Sequence, residues 1–428
     1  MKLIFTIILL SIPLLSDTLE GLIQYATSYS TTAKQSQAQI ELSQTKRDQS
    51  KVEQYGSVDF VGDFTHFNTP RTLIPLTPTV LGSGVPITTT QDLISSGITY
   101  SVPLFTGFAQ TRQIEIDDLG KQMSMAKAHL TQEQLIYTIR SLYLSVLAQK
   151  ELFEAQQAYV KALKKLTEQI EFEVKIGKKA EIDLFKAQSD FSASQTQQEI
   201  LASTIEMTKA TLSALVGKDT GKITPLPITV KKPSYDVNRL FEQASGLTKV
   251  AVENMAVAKA DKMIAKSKSA KLPQVNLGTY AGKNYGEDLT SSEFEDETLW
   301  QVGVNVKWNL ADFGKRDLNI QEAKIAKMEA SFEKEQTLLD LRKLLIQGVE
   351  NIKQSYAEYA GNSAQLRLSK KSESIEKVRY ENNVATLNDL LLAKGKRQVA
   401  QAKLIESKYT YQKNLYYVDY LLEKGARK

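Results

Sequence analysis

The segment from residue 299 to 320 changes from a strand pattern to a helix pattern within a few residues, and it restricts the fold more than any other part of the chain. Its apolar residues share one parity: Trp300, Val302, Val304, Val306, Trp308 and Leu310. The residues between them are polar or glycine, which is typical of a strand with one apolar and one polar face. From Gly314 to Glu381 the chain has no proline and keeps apolar residues at heptad spacing. We therefore expect a strand that runs directly into a very long helix.

The only two tryptophans of the chain, Trp300 and Trp308, are expected at the two ends of this strand. Eight residues of extended strand cover about 27 Å. With a tilt of about 40°, that length approaches the height of the apolar band of a membrane barrel, which is about 25 Å and is flanked by aromatic girdles. Trp300 and Trp308 are therefore candidates for a membrane aromatic girdle.

The composition excludes several classes of protein. The chain has 428 residues and no cysteine, so disulfide frameworks, thiolate metal sites and lipid-modified cysteines are excluded. Its 54 Lys and Arg residues are scattered among 49 Asp and Glu residues, which indicates solvated helix faces and no nucleic-acid partner.

No arrangement of residues points to an enzyme. The two histidines, His66 and His129, stand alone, and no Ser-His-Asp order, glycine-rich phosphate loop or paired-carboxylate motif stands out. We therefore predict no catalytic residue, no cofactor and no metal site.

The segment from Met1 to Ser16 has the pattern of a secretory signal peptide. Lys2 precedes an apolar run from Leu3 to Leu15, which is too short to span a membrane, and Ser16 is the expected cleavage point. No later stretch approaches eighteen apolar residues, so no transmembrane helix is predicted. Asp17 is the expected N-cap of the first helix, with Glu20 at the third helical position.

Three further strands are predicted from the same alternation of apolar and polar residues. They cover residues 58–64, 98–104 and 275–279, with a loop rich in Pro, Thr and Gly at 68–91. A glycine- and acid-rich loop is expected before Trp300. Its carboxylates are Glu287, Asp288, Glu293, Glu295, Asp296 and Glu297. A solvated surface loop is favoured there over a cation site.

Long helices occupy most of the remaining chain. Heptad spacing between residues 109 and 175 predicts a helix about 100 Å long that packs against neighbouring helices, with Gly177 as its C-cap glycine. The expected helices span about 17–54, 109–175, 182–216, 236–271, 314–381 and 388–423.

The two halves of the chain have the same order of elements, which indicates an internal repeat. Residues of the same type recur at an offset of 206 (303 − 97 = 206) at two sites some eighty residues apart. The matching pairs are Gly97 and Gly303, Leu104 and Leu310, Ile114 and Ile320, Asp183 and Asp389, Leu184 and Leu390, and Ala187 and Ala393. The predicted domains are a first repeat at 17–217, a linker at 218–235 and a second repeat at 236–428.

Four strands in one chain cannot close a barrel, and open sheet edges are not tolerated in lipid. A membrane barrel would therefore have to be shared between copies of the chain. Three copies give twelve strands with room for a conduit, whereas two copies give eight strands, and side chains fill the interior of such a barrel. The fold class is thus an α+β membrane protein with long helical hairpins. A soluble sheet with a coiled-coil appendage is the alternative.

Several short motifs occur in one order along the chain. They are TLEGL at 18–22 with Ala26, PLFTG at 103–107, IDL at 182–184 with Ala187, AKLPQV at 270–275, WNLADFG at 308–314, and LNDL at 387–390 with Ala393. Together with the element order, they resemble the TolC-like outer-membrane efflux proteins from end to end of the mature chain. The resemblance implies a homotrimer with a 12-stranded barrel in outer-membrane lipid and a helical barrel in the periplasm. It also implies docking onto a periplasmic adaptor protein and an inner-membrane transporter.

The resemblance implies a gate at the periplasmic end. Asp389 matches a position of an acidic ring at the pore constriction, and Tyr380 and Asp183 match partners in the closing contacts. The chain departs from the family pattern at Leu392, where a second acidic ring position falls, and at Ala385, where a basic residue is expected. Alternatively, Asp389 and Asp183 are helix N-terminal residues that the helix macrodipole favours.

The two breaks between long helices are the expected adaptor-docking tips. The first, Ile176, Gly177 and Lys178, keeps the family's order of a hydrophobic residue, glycine and a polar residue. The second, Asn382, Asn383 and Val384, has Asn in place of Gly, and Asn also tolerates the left-handed backbone conformation. The alternative is simple helix capping without a partner.

The predicted function is a passive exit duct in the outer membrane of a Gram-negative bacterium, serving tripartite efflux or type I secretion. The alternative is a soluble exported coiled-coil protein with a structural or adaptor role. Such a protein would have no need of two strand pairs at matching places.

Overall fold

The computed structural model describes residues 18–82, 84 and 87–425. The predicted signal peptide and the predicted N-cap Asp17 lie outside these residues. The first helix has Thr18 as its N-cap, because the Thr18 hydroxyl accepts a hydrogen bond from the Gly21 amide at 3.2 Å. Thr18 therefore has the capping role that we predicted for its neighbour, and Glu20 lies one position earlier in the helix than predicted.

Nine α-helices and four strands are present in the described part of the chain. The helices are α1 (Leu19–Tyr29), α2 (Thr31–Val52), α3 (Pro78–Gly82), α4 (Ala109–Lys175), α5 (Glu181–Val216), α6 (Val237–Ala244), α7 (Thr248–Ser269), α8 (Lys315–Glu381) and α9 (Leu387–Leu421). The strands are β1 (Ser57–Thr72), β2 (Thr89–Phe105), β3 (Gln274–Glu287) and β4 (Phe294–Lys307).

The predicted long helices are confirmed. The helices α4 and α8 have 67 residues each, and α4 has the predicted bounds. Two runs that we predicted as single helices are each broken in two, the first at Ser30 and the second between α6 and α7. Over the described residues, no helix combines the length and the apolar character that a membrane crossing requires.

The chain divides into two compact units. The first comprises residues 1–38, 126–251 and 335–428, and its described part is helical apart from loops. The second comprises residues 39–125 and 252–334, and it contains the sheet with the helix segments next to the strands. The predicted repeat boundaries follow the order of elements along the chain and stay a prediction.

In the second unit, the four strands form one antiparallel sheet in the order β1-β2-β3-β4. One cross-strand row consists of Phe60, Ile98, Ala281 and Trp300, and the next row, on the opposite face, consists of Asp59, Thr99, Tyr280 and Gln301. The alternation predicted from the sequence therefore makes one apolar and one polar face.

The strands differ from the prediction in their bounds. β1 and β2 extend into the predicted loop at 68–91. β3 ends at Glu287 and β4 begins at Phe294, so Glu287, Glu295, Asp296 and Glu297 lie in strands and not in a loop. The acidic segment joins the sheet because β3 offers it partners, including the Lys283 ammonium group, which pairs with Asp296.

The two tryptophans do not lie at the two ends of β4. Trp300 is in the middle of the strand and Trp308 follows its last residue, Lys307. The strand ends there because the chain turns toward the helices. The Trp308 indole Nε1 donates a hydrogen bond to the Lys271 carbonyl at 3.1 Å, and Arg316 Nη1 donates one to the Asn309 carbonyl at 2.5 Å.

The helix segments of the second unit follow the order of the strands. An ion pair between Arg47 and Asp118 (2.8 Å) joins α2 to α4. Lys262 and Glu115 (3.0 Å) join α7 to α4, and a further pair, Lys327 with Asp261 (2.8 Å), joins α8 to α7. The row α2-α4-α7-α8 thus continues the row β1-β2-β3-β4, with α2 and α8 at its edges.

Three apolar clusters hold the first unit together. The largest packs α1, α4, α5 and α9 around Tyr143, whose hydroxyl donates to the Thr224 carbonyl at 2.6 Å. The second joins α8, α9 and the start of α7 around Leu345 and Ile352. The third lies where α4, α5, α8 and α9 approach the helix breaks, around Leu163 and Ile170.

Candidate functional site

The break between α4 and α5 has the backbone geometry that we predicted. Gly177 is left-handed with φ +73°. The Lys178 amide donates to the Glu173 carbonyl at 2.8 Å and the Gly177 amide to the Val174 carbonyl at 2.9 Å. These two bonds are those of a Schellman motif, so Gly177 is confirmed as the C-cap glycine. Ile176 lies beside it with 48% of its surface exposed.

The break between α8 and α9 has the same geometry without a glycine. Asn383 is left-handed with φ +59°, which confirms that Asn replaces Gly here. The Val384 amide donates to the Arg379 carbonyl at 2.8 Å, and the Asn383 amide donates to the Tyr380 carbonyl at 3.0 Å. The Asn382 side chain adds a hydrogen bond to the Val378 carbonyl at 2.8 Å. Asn382, Asn383 and Val384 are all exposed.

Asp389 is exposed and takes part in a capping box at the start of α9. Its Oδ2 accepts hydrogen bonds from the Thr386 hydroxyl at 2.7 Å and from the Thr386 amide at 3.0 Å. The Thr386 hydroxyl, followed by the Thr386 amide, holds the pKa of the Asp389 carboxyl below its usual range. Asp389 is therefore an ionised helix-capping carboxylate in this chain.

Tyr380 is buried near Asp183, its predicted partner. Burial, with a smaller contribution from the carboxylates of Glu173 and Asp183, raises the pKa of Tyr380 to about 12. The Tyr380 hydroxyl has no hydrogen-bond partner among the described residues, and the Lys179 ammonium group lies 4.5 Å from the centre of its ring. The fold thus brings Tyr380 close to Asp183 without a direct hydrogen bond between them.

Three charged residues on α8 and α9, the helices on either side of the second break, were not predicted from the sequence. The Glu373 carboxylate on α8 pairs with Lys394 at 3.1 Å and with Arg397 at 2.5 Å, both on α9. The three side chains are mostly buried, with exposed fractions of 17% for Glu373, 13% for Lys394 and 19% for Arg397. Glu373 lies 10 residues before Asn383 and Lys394 lies 11 residues after it, so a hairpin centred on Asn383 would have paired them, with Arg397 about one helical turn further along α9.

The two predicted girdle residues lie on the apolar parity of the sheet and its continuation. Trp300 is 73% exposed and Trp308 is 57% exposed. Most of the apolar side chains on this face of β4 are equally exposed, including Val302, Val304 and Val306. A contiguous exposed apolar face of this kind marks an interaction site for a protein or a membrane.

Comparisons with known proteins identify outer-membrane proteins as similar to this chain. The family model described as outer membrane efflux protein (OEP) matches residues 248–420. The outer membrane protein TolC of Vibrio cholerae is 21% identical over 333 residues, which cover 75% of this chain and 74% of that protein.

Solved structures of outer-membrane proteins have the same fold. VceC from Vibrio cholerae superposes with a TM-score of 0.76 at 15% identity, over 95% of this chain and 96% of VceC. The CmeC outer membrane channel of Campylobacter jejuni superposes with a TM-score of 0.77 at 16% identity, over 95% of this chain and 86% of CmeC. Together the comparisons confirm the predicted resemblance to the TolC-like outer-membrane efflux proteins, a family of channels and not of enzymes.

Proposed function

We propose that the chain forms the outer-membrane exit duct of a tripartite efflux or type I secretion system in a Gram-negative bacterium. The duct conducts substrates passively, and the energy comes from an inner-membrane transporter that works through a periplasmic adaptor. The observation that carries this proposal is a sheet with one apolar face, one polar face and two edges that this chain leaves unpaired within its described residues.

The apolar face has the limits expected of a lipid-facing band. Its outermost wholly apolar row contains Phe60, Ile98 and Trp300, and the face continues through Val306 to Trp308. Beyond Trp300 the same face becomes polar, with Lys283 opposite Thr298. The stretch from Trp300 to Trp308 covers about 27 Å before tilt. The two tryptophans thus flank the proposed band although they do not flank the strand.

The edges of the sheet require further copies of the chain. Unpaired backbone groups at a sheet edge are too costly in lipid, so β1 and β4 need partners. The two edges differ, and a contact between β4 of one copy and β1 of the next repeats head to tail and closes a ring. Three copies make a barrel of twelve strands, in which the polar face lines a conduit.

The helices next to the sheet support the same closure. Leu318, Ile325 and Phe332 recur at heptad spacing on α8, and they are 71%, 44% and 61% exposed. Because α8 and α2 are the edge members of the helix row, a head-to-tail ring brings α2 of the next copy against α8. We propose that this contact covers the heptad residues and continues the barrel as a helical tube.

The proposed internal repeat gains support from further positions that match at the offset found in the sequence. The helices α5 and α9 have 36 and 35 residues, and the left-handed residues Gly177 and Asn383 differ by that offset. Both strand-to-helix junctions also have two consecutive left-handed residues. These are Gly107 and Phe108 at the first junction, and Phe313 and Gly314 at the second.

The two helix breaks are the proposed docking tips for the adaptor. Exposure of Ile176 and Val384, 48% and 67%, supports this assignment because an apolar tip residue without cover gains from a partner. Asp389, Asp183 and Tyr380 remain the proposed residues of the gate at the pore constriction. The unpartnered Tyr380 hydroxyl supports the proposal, since a buried hydroxyl is stabilised by any contact that gives it an acceptor.

Single-channel conductance in a planar bilayer tests the duct, with native mass spectrometry of the same preparation to count the copies. We expect three copies and a small conductance that favours cations. Asp389→Ala should lower the cation selectivity by about threefold, because a ring of carboxylates in a narrow wet pore attracts cations. Asp219→Ala, at an exposed carboxylate outside the tips, is the matched control.

The outcomes separate the duct from the gate. An unchanged selectivity in Asp389→Ala would keep the duct and exclude Asp389 from the constriction. A monomer that neither inserts nor conducts would contradict the duct itself.

A further inference from the structure

The last described residues of the chain hold the start of α7 in place, although α7 begins far earlier in the sequence.

The helix α7 has no capping side chain of its own. The Ala251 amide donates to the Leu247 carbonyl at 3.0 Å, which makes Leu247 the residue at the N-cap position. A leucine side chain cannot accept hydrogen bonds, and Gly246 precedes it. The first amides of α7 therefore need an acceptor from elsewhere in the fold.

Glu423 supplies that acceptor. Its Oε2 accepts a hydrogen bond from the Thr248 amide and its Oε1 accepts one from the Lys249 amide, both at 3.0 Å. The Glu423 side chain is only 8% exposed. The carboxylate also lies at the positive end of the α7 dipole, where negative charge is stabilising.

The backbone of Glu423 is also strained, because a glutamate rarely adopts a positive φ. It follows α9 with φ +50°, and the Lys424 amide donates to the Asp419 carbonyl at 2.9 Å. Glu423 thus takes the left-handed position of a Schellman motif, which Gly usually occupies because it has no Cβ. A glutamate at this position makes the C-terminal motif of α9 less stable than glycine would. The hydrogen bonds of its side chain to α7 offset this loss of stability.

The residue Gly425 is fixed on α4. Its amide donates to the Glu133 carboxylate at 2.8 Å, and its carbonyl accepts from Arg140 Nη2 at 3.1 Å. Glu133 and Arg140 are 1% and 6% exposed. A Cβ atom on Gly425 would collide with Glu133 Oε2, so only glycine fits this slot without movement.

We infer that Glu423 and Gly425 form a clasp. Glu423, from a distant part of the same chain, caps the N-terminus of α7, and Gly425 fastens the end of α9 to α4. Glu423 is a positioning residue in this clasp: it sets where α7 begins. The clasp joins three helices of the first unit through backbone groups, and hydrophobic packing alone does not specify such a start.

The test compares Glu423→Gly with Asn383→Gly in the purified full-length protein. Both substitutions place glycine at a left-handed C-cap, so helix-end preference alone predicts equal or higher stability for both. The clasp predicts different results for the two substitutions. Hydrogen exchange in the peptide that covers residues 244–252 should become about tenfold faster in Glu423→Gly and stay unchanged in Asn383→Gly.

Two further variants keep the test informative. Glu423→Gln retains one acceptor oxygen and loses the charge, so its exchange rate should lie between those of the wild type and Glu423→Gly. Gly425→Ala should speed exchange in the same peptide by displacing Glu133. This variant tests the clasp if Glu423→Gly does not fold. Unchanged exchange at 244–252 in Glu423→Gln and Gly425→Ala would overturn the clasp, as would Glu423→Gly behaving like Asn383→Gly.

Discussion

The two helix breaks, at Gly177 and at Asn383, have the same backbone conformation but are stabilised by different side chains. Both end a 67-residue helix in a Schellman motif. At the first break, glycine supplies the left-handed residue and Ala180 begins the next helix without a side-chain cap. At the second break, Asn383 supplies the left-handed residue, and Thr386 and Asp389 form a capping box. The same backbone conformation is thus compatible with different capping side chains at the two breaks.

The contacts that join the two helices of each hairpin, next to the tip, also differ between the two hairpins. In the α4–α5 hairpin, neutral hydrogen bonds join the helices, as between the Thr167 hydroxyl and the Ala187 carbonyl at 3.3 Å. In the α8–α9 hairpin, Glu373 stands at the position that matches Thr167 (373 − 167 = 206) and pairs with Lys394 and Arg397. Behind its tip, the second hairpin therefore has ion pairs that join its two helices, whereas the contacts at the matching part of the first hairpin are neutral hydrogen bonds and apolar packing.

The largest expected effect follows from removing the central carboxylate. Glu373→Ala leaves Lys394 and Arg397 close together and mostly buried, which should lower the free energy of unfolding by about 2 kcal/mol. Urea unfolding of the purified protein measures the loss. Thr167→Ala, at the matching position of the first hairpin, should cost about 1 kcal/mol or less. Equal losses would show that the two hairpins do not differ in the way proposed.

The next effect concerns the backbone of the first tip. Gly177→Ala should lower the free energy of unfolding by about 1 to 2 kcal/mol, because alanine is strained in the left-handed conformation. Apart from the two neighbouring residues, no atom of the described residues lies within 4 Å of the added Cβ, so backbone strain and not a steric clash causes the loss. Gly177→Asn, which copies the second tip, should recover most of the loss in the same urea experiment. A loss in Gly177→Asn as large as in Gly177→Ala would contradict the equivalence of the tips.

The smallest effect concerns the capping box of the second tip. Thr386→Ala should cost about 1 kcal/mol, since it removes the side-chain acceptor of the Asp389 amide. Ala180→Thr tests the reverse change at the first tip and should stabilise that helix by a similar amount or less. Hydrogen exchange of the peptides that cover each helix start measures both changes.

The capping box also gives the second tip a dependence on pH. The folded pKa of Asp389 lies below its ordinary value of 3.8, so its stabilisation is fully present above that value and is lost as pH falls through the folded pKa. After correction for intrinsic exchange rates, the start of α9 should lose protection in that acidic range, and Thr386→Ala should weaken the dependence. A pH response that Thr386→Ala leaves unchanged would exclude Thr386 as its cause.

The bounds of α4 follow from the heptad periodicity, and the left-handed residues Gly177 and Asn383 follow from the residue types at the helix breaks. The extent of β4 does not, because its outward residues become polar beyond Trp300 while β3 still offers hydrogen bonds. The contact of Glu423 with Thr248 is also invisible to local patterns, since only tertiary packing brings together residues so far apart. At the candidate site, the family resemblance proposed Tyr380 and Asp389 as gate residues, and that role stays a prediction. Glu373 was overlooked, although a hairpin register would have paired it with α9.

The matching order of strands and helices in the second unit has a genetic consequence. If three copies close head to tail, each copy contributes one β1 edge and one β4 edge, and no copy can be bypassed. A chain with an intact β4 edge and a damaged β1 edge would still pair with one neighbour, but the ring that contains it could not close. With equal expression of normal and damaged chains, only about one ring in eight would contain normal copies alone. Edge mutations in this protein should therefore be dominant, whereas mutations that prevent a copy from folding should be recessive.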